Sequence, residues 1–189
     1  VENGLSNLNI HKCRFEYNEA NIGAGAILVF TNLESSICSL SIDSSQFLSN
    51  RAGQEAGAIY NIAQRGDNYL EILNSDFNDN RAIAAHGGAI SNASISSTSR
   101  IEFNLNGCNF LRDTSQMSGG AIRNNIANGK LTGAITECHF DENQAASGGA
   151  INSVVGDTTA ISTLQISSCQ FNENLSTGDG GAVYIETVF

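Results

Sequence analysis

Residues 140–151 read Phe-Asp-Glu-Asn-Gln-Ala-Ala-Ser-Gly-Gly-Ala-Ile, and this stretch is one of six related copies in the chain. Each copy has Phe-x-x-Asn, with Asp in place of Asn in one of them, then a short polar segment and Gly-Ala-Ile or Gly-Ala-Val. The copies begin 32, 30, 33, 30 and 31 residues apart, at Phe15, Phe47, Phe77, Phe110, Phe140 and Phe171. Self-similarity at a fixed period of this size is typical of a solenoid.

The residues on either side of this stretch predict short β-strands. Before the phenylalanines, apolar and polar residues alternate, as in Leu40-Ser41-Ile42, which is typical of a strand with one buried face. A second apolar strand follows the glycines, as in Ala121-Ile122. Such a repeat cannot bury its apolar face alone, but coils stacked about 4.8 Å apart can. We therefore predict an all-β fold, a right-handed parallel β-helix of about six coils with roughly 30 residues each.

Stacking places equivalent residues above one another, so that they form ladders through the interior. We predict a ladder of stacked, buried phenylalanine rings, formed by the six residues given above. We also predict an asparagine ladder, in which buried amides satisfy one another, formed by Asn18, Asn50, Asn80, Asn143 and Asn174. Asp113 takes this place in the fourth coil. Because an ionised carboxylate only accepts hydrogen bonds, we expect a local irregularity there, or a raised pKa if Asp113 is buried.

Two further columns hold small residues. Four of the five cysteines lie two residues before a phenylalanine, and Ser45 and Ser75 take this place in coils two and three; the cysteines are Cys13, Cys108, Cys138 and Cys169. An odd number of cysteines cannot all pair, so we expect small buried thiols, while a bridge among the neighbours Cys108, Cys138 and Cys169 stays open. The recurring glycine indicates either a positive φ or a corner too crowded for a Cβ atom.

The composition narrows the classes of function. With 9 basic and 19 acidic residues the net charge is −10, so the chain would repel a nucleic acid backbone. We expect one β-helix domain over residues 1–189, as part of a longer passenger or as a stackable unit. No apolar run has the length of a membrane span, so we expect membrane contact only through an anchor domain outside this chain. We expect no cofactor and no metal, because one column places ligands on a line rather than around a tetrahedron.

Three sets of residues outside the repeat pattern could carry chemistry. Arg65-Gly66-Asp67 matches the tripeptide of integrin-type adhesion, and it also fits a tight turn with glycine at its tip. Acidic residues near the phenylalanine corner could act as the paired carboxylates of a polysaccharide enzyme or as calcium ligands. Their columns do not converge, so we expect a solvated acidic face, formed by Asp76, Asp79, Asp141, Glu142 and Glu173. Asn92-Ala93-Ser94 and Asn174-Leu175-Ser176 match the glycosylation sequon, although Asn174 is also a ladder residue.

The pairing of Phe-x-x-Asn with Gly-Gly-Ala-Ile resembles the repeat of the chlamydial polymorphic outer membrane proteins over essentially the whole chain. The full glycine tetrad begins at Gly87, Gly119, Gly148 and Gly180, where the last copy ends in valine. The first two coils depart with Ala24 and Ala56 in place of the first glycine, and Asp113 departs from Phe-x-x-Asn. The resemblance implies a β-helical passenger of an autotransporter-like surface protein, often adhesive, and carries over no catalytic residue.

These features predict a non-catalytic extracellular or cell-surface β-helix that acts as an adhesin, a stalk or a self-assembling filament unit. Its partners would be further coils of the same chain, other copies stacked end to end, or a host-surface protein or glycan. The alternative is a polysaccharide-binding or polysaccharide-cleaving β-helix. That alternative needs a groove lined by carboxylates and exposed aromatic residues, for which the candidates are Tyr60, Tyr69 and Tyr184.

Overall fold

The structure, a computed structural model, describes residues 4–188. These residues form 24 short strands, four in each of six coils. In chain order the strands are β1 (Leu5–His11), β2 (Arg14–Glu16), β3 (Glu19–Ala20), β4 (Ile27–Thr31), β5 (Ile37–Asp43), β6 (Gln46–Leu48), β7 (Arg51–Ala52), β8 (Ile59–Ala63), β9 (Asp67–Leu73), β10 (Asp76–Asn78), β11 (Arg81–Ala82), β12 (Ile90–Ser94), β13 (Arg100–Asn106), β14 (Asn109–Leu111), β15 (Thr114–Ser115), β16 (Ile122–Ile126), β17 (Lys130–Thr136), β18 (His139–Asp141), β19 (Gln144–Ala145), β20 (Ile151–Val155), β21 (Ile161–Ser167), β22 (Gln170–Asn172), β23 (Leu175–Ser176) and β24 (Val183–Thr187).

Equivalent strands of successive coils pair in parallel and build four six-stranded sheets. Sheet A contains β1, β5, β9, β13, β17 and β21, and sheet B contains β2, β6, β10, β14, β18 and β22. Sheet C contains β3, β7, β11, β15, β19 and β23, and sheet D contains β4, β8, β12, β16, β20 and β24. The predicted all-β solenoid of about six coils is confirmed, and residues 4–188 contain no helix. Its right-handed sense stays a prediction.

The phenylalanines of the repeat form one continuous stack behind sheet B. Neighbouring ring centroids lie 4.8 to 4.9 Å apart, with interplanar angles between 2° and 10°. This spacing falls in the range of offset-stacked rings and equals the rise from one coil to the next. The four inner rings, Phe47, Phe77, Phe110 and Phe140, are at most 1% exposed. Each ring therefore contacts a ring above and a ring below.

The asparagines of the repeat form a hydrogen-bonded ladder beside that stack. Asn80 illustrates it: its Oδ1 accepts from the backbone N–H and the Nδ2 of Asn50, at 3.1 and 3.0 Å. Its Nδ2 donates to the carbonyl oxygen of Phe47 at 2.9 Å. The same pattern links Asn18 to Asn50 and Asn143 to Asn174. One amide per coil thus satisfies a turn that would otherwise bury unpaired backbone groups.

Asp113 is the carboxyl member of this ladder and is fully buried. Its Oδ1 accepts from the backbone N–H and the Nδ2 of Asn80, at 2.8 and 2.9 Å, while its Oδ2 has no partner. In Asn50, Asn80 and Asn143 an amide nitrogen takes the place of Oδ2 and donates to two acceptors. Oδ2 therefore needs a proton to be satisfied in this position. Burial above all raises the pKa of Asp113 well above its ordinary value.

The cysteine column holds residues that both donate and accept hydrogen bonds. The Ser45 hydroxyl donates to the Asp43 carbonyl at 2.9 Å and accepts from the backbone N–H of Cys13 at 3.1 Å. The Cys138 thiol donates to the Thr136 carbonyl in the same way, at 3.2 Å. This shared role explains why serine and cysteine alternate in the column. All five cysteines are free; Cys108 and Cys138 are buried, Cys169 is half-buried, and Cys13, in the first coil, is exposed.

Sheet A contains a compensated pair in its inward column. This column has leucine in most coils, but Phe103 in the fourth coil is followed by Gly133 in the fifth. A Cβ atom at Gly133 would overlap the ring of Phe103. The large ring of Phe103 therefore fits because Gly133, the next residue of the column, has no side chain.

Behind sheet D lies a second buried polar ladder that the sequence patterns did not reveal. Asn61 donates to Asn92 at 3.0 Å, and Asn92 donates to Asn124 at 2.9 Å. Asn68, at the start of sheet A in its coil, donates to Asn61 and accepts from Thr31, at 2.8 and 2.9 Å. These amides fix the corner at which each strand of sheet D passes into the next coil of sheet A.

Candidate functional site

A polar groove runs along the outward face of sheet D, between that face and the turn that precedes each of its strands. One side is a column of outward side chains, formed by Leu28, Tyr60, Ser91, Arg123, Asn152 and Tyr184. The other side is a column of turn residues, formed by Glu55, His86, Ser118, Ser147 and Asp179. Parallel bridges hold His86, Ser118 and Ser147 in register. We call this feature the sheet D groove.

The glycine pair of the repeat brings the turn close to the sheet. The first glycine has a positive φ, 64° at Gly180, and a Cβ atom there would lie 2.8 Å from the Cβ of Tyr184. The second glycine packs against the neighbouring coil, since a Cβ atom at Gly120 would overlap the carbonyl oxygen of Gly149. Both explanations for the glycines therefore apply, one to each position. The motif that defines the repeat also shapes the groove.

Arg123 connects the coils along this groove. It lies in the fourth coil, and its guanidinium interacts electrostatically with Glu55 and Tyr60 in the second. Burial raises the pKa of Glu55 and lowers the pKa of Arg123, and each group opposes the shift of the other. Burial, with a contribution from Glu55, raises the pKa of Tyr60 to about 12. Ser91, in the third coil between them, is fully buried.

His86 lies on the turn side of the same groove. Its Nδ1 is 2.6 Å from the hydroxyl oxygen of Ser118. Burial, followed by the charge of Arg123, lowers the pKa of His86 to about 4. The imidazole is therefore neutral at physiological pH.

The part of the groove that crosses coils four to six is an open depression of about 390 Å³. Its lining includes Arg123, Asn152 and Tyr184 from the sheet and Met117 from the turn. Asn152 is only 2% exposed, yet its Oδ1 has no hydrogen-bond partner, and the Nε of Arg123 is also buried without one. Such groups in a native structure call for a partner. The groove can therefore offer both a donor and an acceptor to a small polar molecule.

A second depression lies on the outward face of sheet A and has a volume of about 760 Å³. Tyr69, Glu71 and Glu102 are among its lining residues. Each carboxylate already has a partner: Arg100 donates to Glu102 at 2.8 Å, and Ser41 donates to Glu71 at 3.4 Å. This face unites an aromatic residue and two carboxylates, which the polysaccharide alternative requires.

The Arg65-Gly66-Asp67 tripeptide forms the turn between β8 and β9. Arg65 is exposed, Gly66 is buried, and Asp67 is the first residue of β9. The backbone N–H of Asp67 donates to the Ser36 carbonyl at 2.9 Å, and Gly66 accepts from Arg100 at 3.1 Å. The tripeptide thus continues the stack instead of projecting from it. Its role in adhesion stays a prediction.

The acidic residues of the phenylalanine corner have separate partners. Asp79 accepts two hydrogen bonds from Arg112, at 2.8 and 3.0 Å. Asp76 and Asp141 each accept from an asparagine of the following coil at 2.8 Å, and Glu142 and Glu173 are exposed. Both sequon asparagines, Asn92 and Asn174, are engaged in ladders. None of these residues lines the sheet D groove.

Metal and membrane sites can be judged for residues 4–188. Within this range no group of three His, Cys, Asp or Glu side chains is placed to hold a metal ion. No helix in the same range has the length and apolar character needed to cross a membrane.

Comparison with known families identifies the repeat. Residues 168–186, in the last coil, match the Chlamydia polymorphic membrane protein repeat. The last coil carries this repeat. The matched segment runs from the turn before β22 into β24, so it includes one phenylalanine, one ladder asparagine and one glycine pair of the polymorphic membrane protein repeat. No curated protein and no solved structure is significantly similar to the chain.

Proposed function

We propose that the chain is part of a cell-surface β-helix that acts as an adhesin or as a structural stalk and has no catalytic activity. The observation that carries this proposal is the match to the polymorphic membrane protein repeat. The geometry adds support, because the side chains that define the repeat are directed into the ladders or into the corners. The outward faces remain available for contacts with other molecules.

Surface location can be tested on intact cells of the source organism. Antibodies raised against the 189-residue chain are applied before and after permeabilisation. We expect equal labelling in both conditions. Labelling that requires permeabilisation would contradict a surface role.

We further propose that each end of the solenoid packs against another coil of the same type, from the same polypeptide or from a second copy. The end coils expose apolar side chains of the inward columns beside unpaired strand edges, including Leu8 (50%) and Ile185 (66%). Such edges readily pair with another strand. If copies stack, sedimentation velocity should show oligomers that grow with concentration, and Leu8→Lys should reduce them. A monomer at every concentration would exclude stacking of copies.

A second candidate function, polysaccharide cleavage, draws on the sheet A depression. Tyr69 could support a sugar ring there, with Glu71 and Glu102 as acid and base. Incubation with neutral and acidic polysaccharides, followed by measurement of new reducing ends, tests this activity. Cleavage that disappears in Glu71→Gln or Glu102→Gln would favour the enzyme over the adhesin.

A further inference from the structure

Unpaired polar atoms in the sheet D groove indicate a missing ligand. Asn152 lies on the outward face of β20 and is only 2% exposed. Its Oδ1 has no hydrogen-bond partner. The Nε of Arg123, one coil earlier, is also unpaired. A buried polar group without a hydrogen bond destabilises the folded protein. Asn152 and Arg123 both line one depression. A ligand that reaches these two atoms meets an acceptor and a donor together.

The charges around the depression disfavour an ionic ligand. The lining holds one charged group of each sign, the guanidinium of Arg123 and the carboxylate of Glu186. An anion would therefore face the carboxylate, while a cation would face the guanidinium. His86 adds no charge, because its ring is neutral. A neutral molecule with many hydroxyl groups meets both the donor and the acceptor without either penalty.

The shape and the apolar part of the lining favour a ring. The volume of about 390 Å³ is at the lower end of small-ligand pockets. Met117, Val154 and the ring of Tyr184 supply apolar surface beside the polar atoms. Sugar rings carry C–H faces that pack on such surfaces, together with hydroxyls that donate and accept.

We propose that the sheet D groove binds a neutral carbohydrate, with Asn152 and Arg123 bonding its hydroxyls and Tyr184 packing against a ring. The inference rests on the proposed adhesive function, for which it supplies the ligand class. The groove spans turns and strands of coils four to six, so one or two sugar units occupy it. A longer glycan continues along the column of outward side chains.

The test uses the 189-residue chain on an array of neutral oligosaccharides of hexoses and N-acetylhexosamines, with sialylated and sulfated glycans as separate arms. Calorimetry then gives Kd for the best binder. We expect binding to neutral glycans, weakened about tenfold by Asn152→Ala because two hydrogen-bonding groups are lost. Tyr184→Phe should keep binding, and Tyr184→Ala should weaken it.

Asn78→Ala on the outward face of sheet B is the matched control, since it makes the same change outside both the groove and the sheet A depression. Asn152→Ala should not lower the temperature of thermal unfolding, because its Oδ1 has no partner to lose. The proposal is overturned by absence of neutral-glycan binding, by binding of acidic glycans alone, or by equal affinities of Asn152→Ala and wild type. Intracellular labelling would refute the surface role and leave glycan binding standing, so the two failures can be told apart.

Discussion

Replacing Asp113 by asparagine should stabilise the protein at neutral pH and change its stability little near pH 4. The carboxyl is fully buried, and its Oδ2 lies where the other coils place an amide nitrogen. An amide at this position would donate to the acceptors that now require a proton on Oδ2. The variant completes the ladder with the residue used in the other five coils.

The size of the stability difference follows from the proton that the buried carboxyl of Asp113 holds in the folded protein. In the unfolded chain the carboxyl ionises with a pKa of about 3.9, whereas burial raises its pKa in the folded protein. Between these two values only the folded state holds the proton, so stability falls as pH rises, by about 1.4 kcal/mol per pH unit. From about pH 4 to about pH 7 the loss reaches at most about 4 kcal/mol. Arg112 opposes the shift and Asp79 adds to it.

Urea unfolding followed by far-UV circular dichroism at several pH values measures this difference. All other groups titrate equally in both proteins, so their contributions cancel when the two free energies of unfolding are subtracted. Asn50→Asp serves as the converse control, because a second buried carboxyl should add a pH dependence of the same sign. A pH-independent difference, or a variant less stable than wild type at neutral pH, would refute the reasoning.

Gly133→Leu should unfold the chain or lower its free energy of unfolding by more than about 3 kcal/mol, because the new side chain overlaps the ring of Phe103. Adding Phe103→Leu should recover part of that stability. If urea unfolding shows that the two effects simply add, the two residues do not compensate each other. Cys138→Ser should change the free energy of unfolding by less than about 1 kcal/mol, whereas Cys138→Ala should lower it by about 1–2 kcal/mol through the lost hydrogen bond and volume. If thermal unfolding shows the reverse order, serine and cysteine do not share the same hydrogen-bonding role in this column. Phe140→Ala should cost about 3–5 kcal/mol as a cavity within the stack, and a loss near zero would place its ring outside the core.

The coil and its ladders could be predicted because one residue type recurs at one spacing. Phe140 and Asn143 recur in kind in the neighbouring coils, so the period, the strands and the inward direction follow from the pattern. The buried ladder of Asn61, Asn92 and Asn124 had an equivalent signal, because each lies four residues after the second glycine of its repeat or that glycine's equivalent. Asn92 also begins a sequon, so its residue type alone fits two interpretations.

Other features have no pattern of residue type. Five of the six coils contain two corners with positive φ at residues other than glycine, for example Glu137 (53°) and Glu142 (56°); in the fourth coil the first of these corners is Gly107. These corners differ in residue type from coil to coil and share only the absence of β-branched residues. The sheet D groove could not be predicted for a similar reason. Arg123 and Asn152 occupy the same column as Tyr60 and Ser91, and only the structure shows that they meet the turn across it.

The uniform register described for the four sheets has a consequence for the history of the chain. Each coil contributes nearly the same ladder residues to the coils above and below it. The core would therefore pack in much the same way if the repeats stood in another order, apart from Asp113 and the Phe103–Gly133 pair. Deletion or duplication of one whole repeat keeps every strand in register, so length can change by whole coils without a new core. The outward faces lack this freedom, since the charge of Arg123 in the fourth coil interacts electrostatically with Glu55 in the second. Gain or loss of a coil between them would preserve the fold and change that interaction.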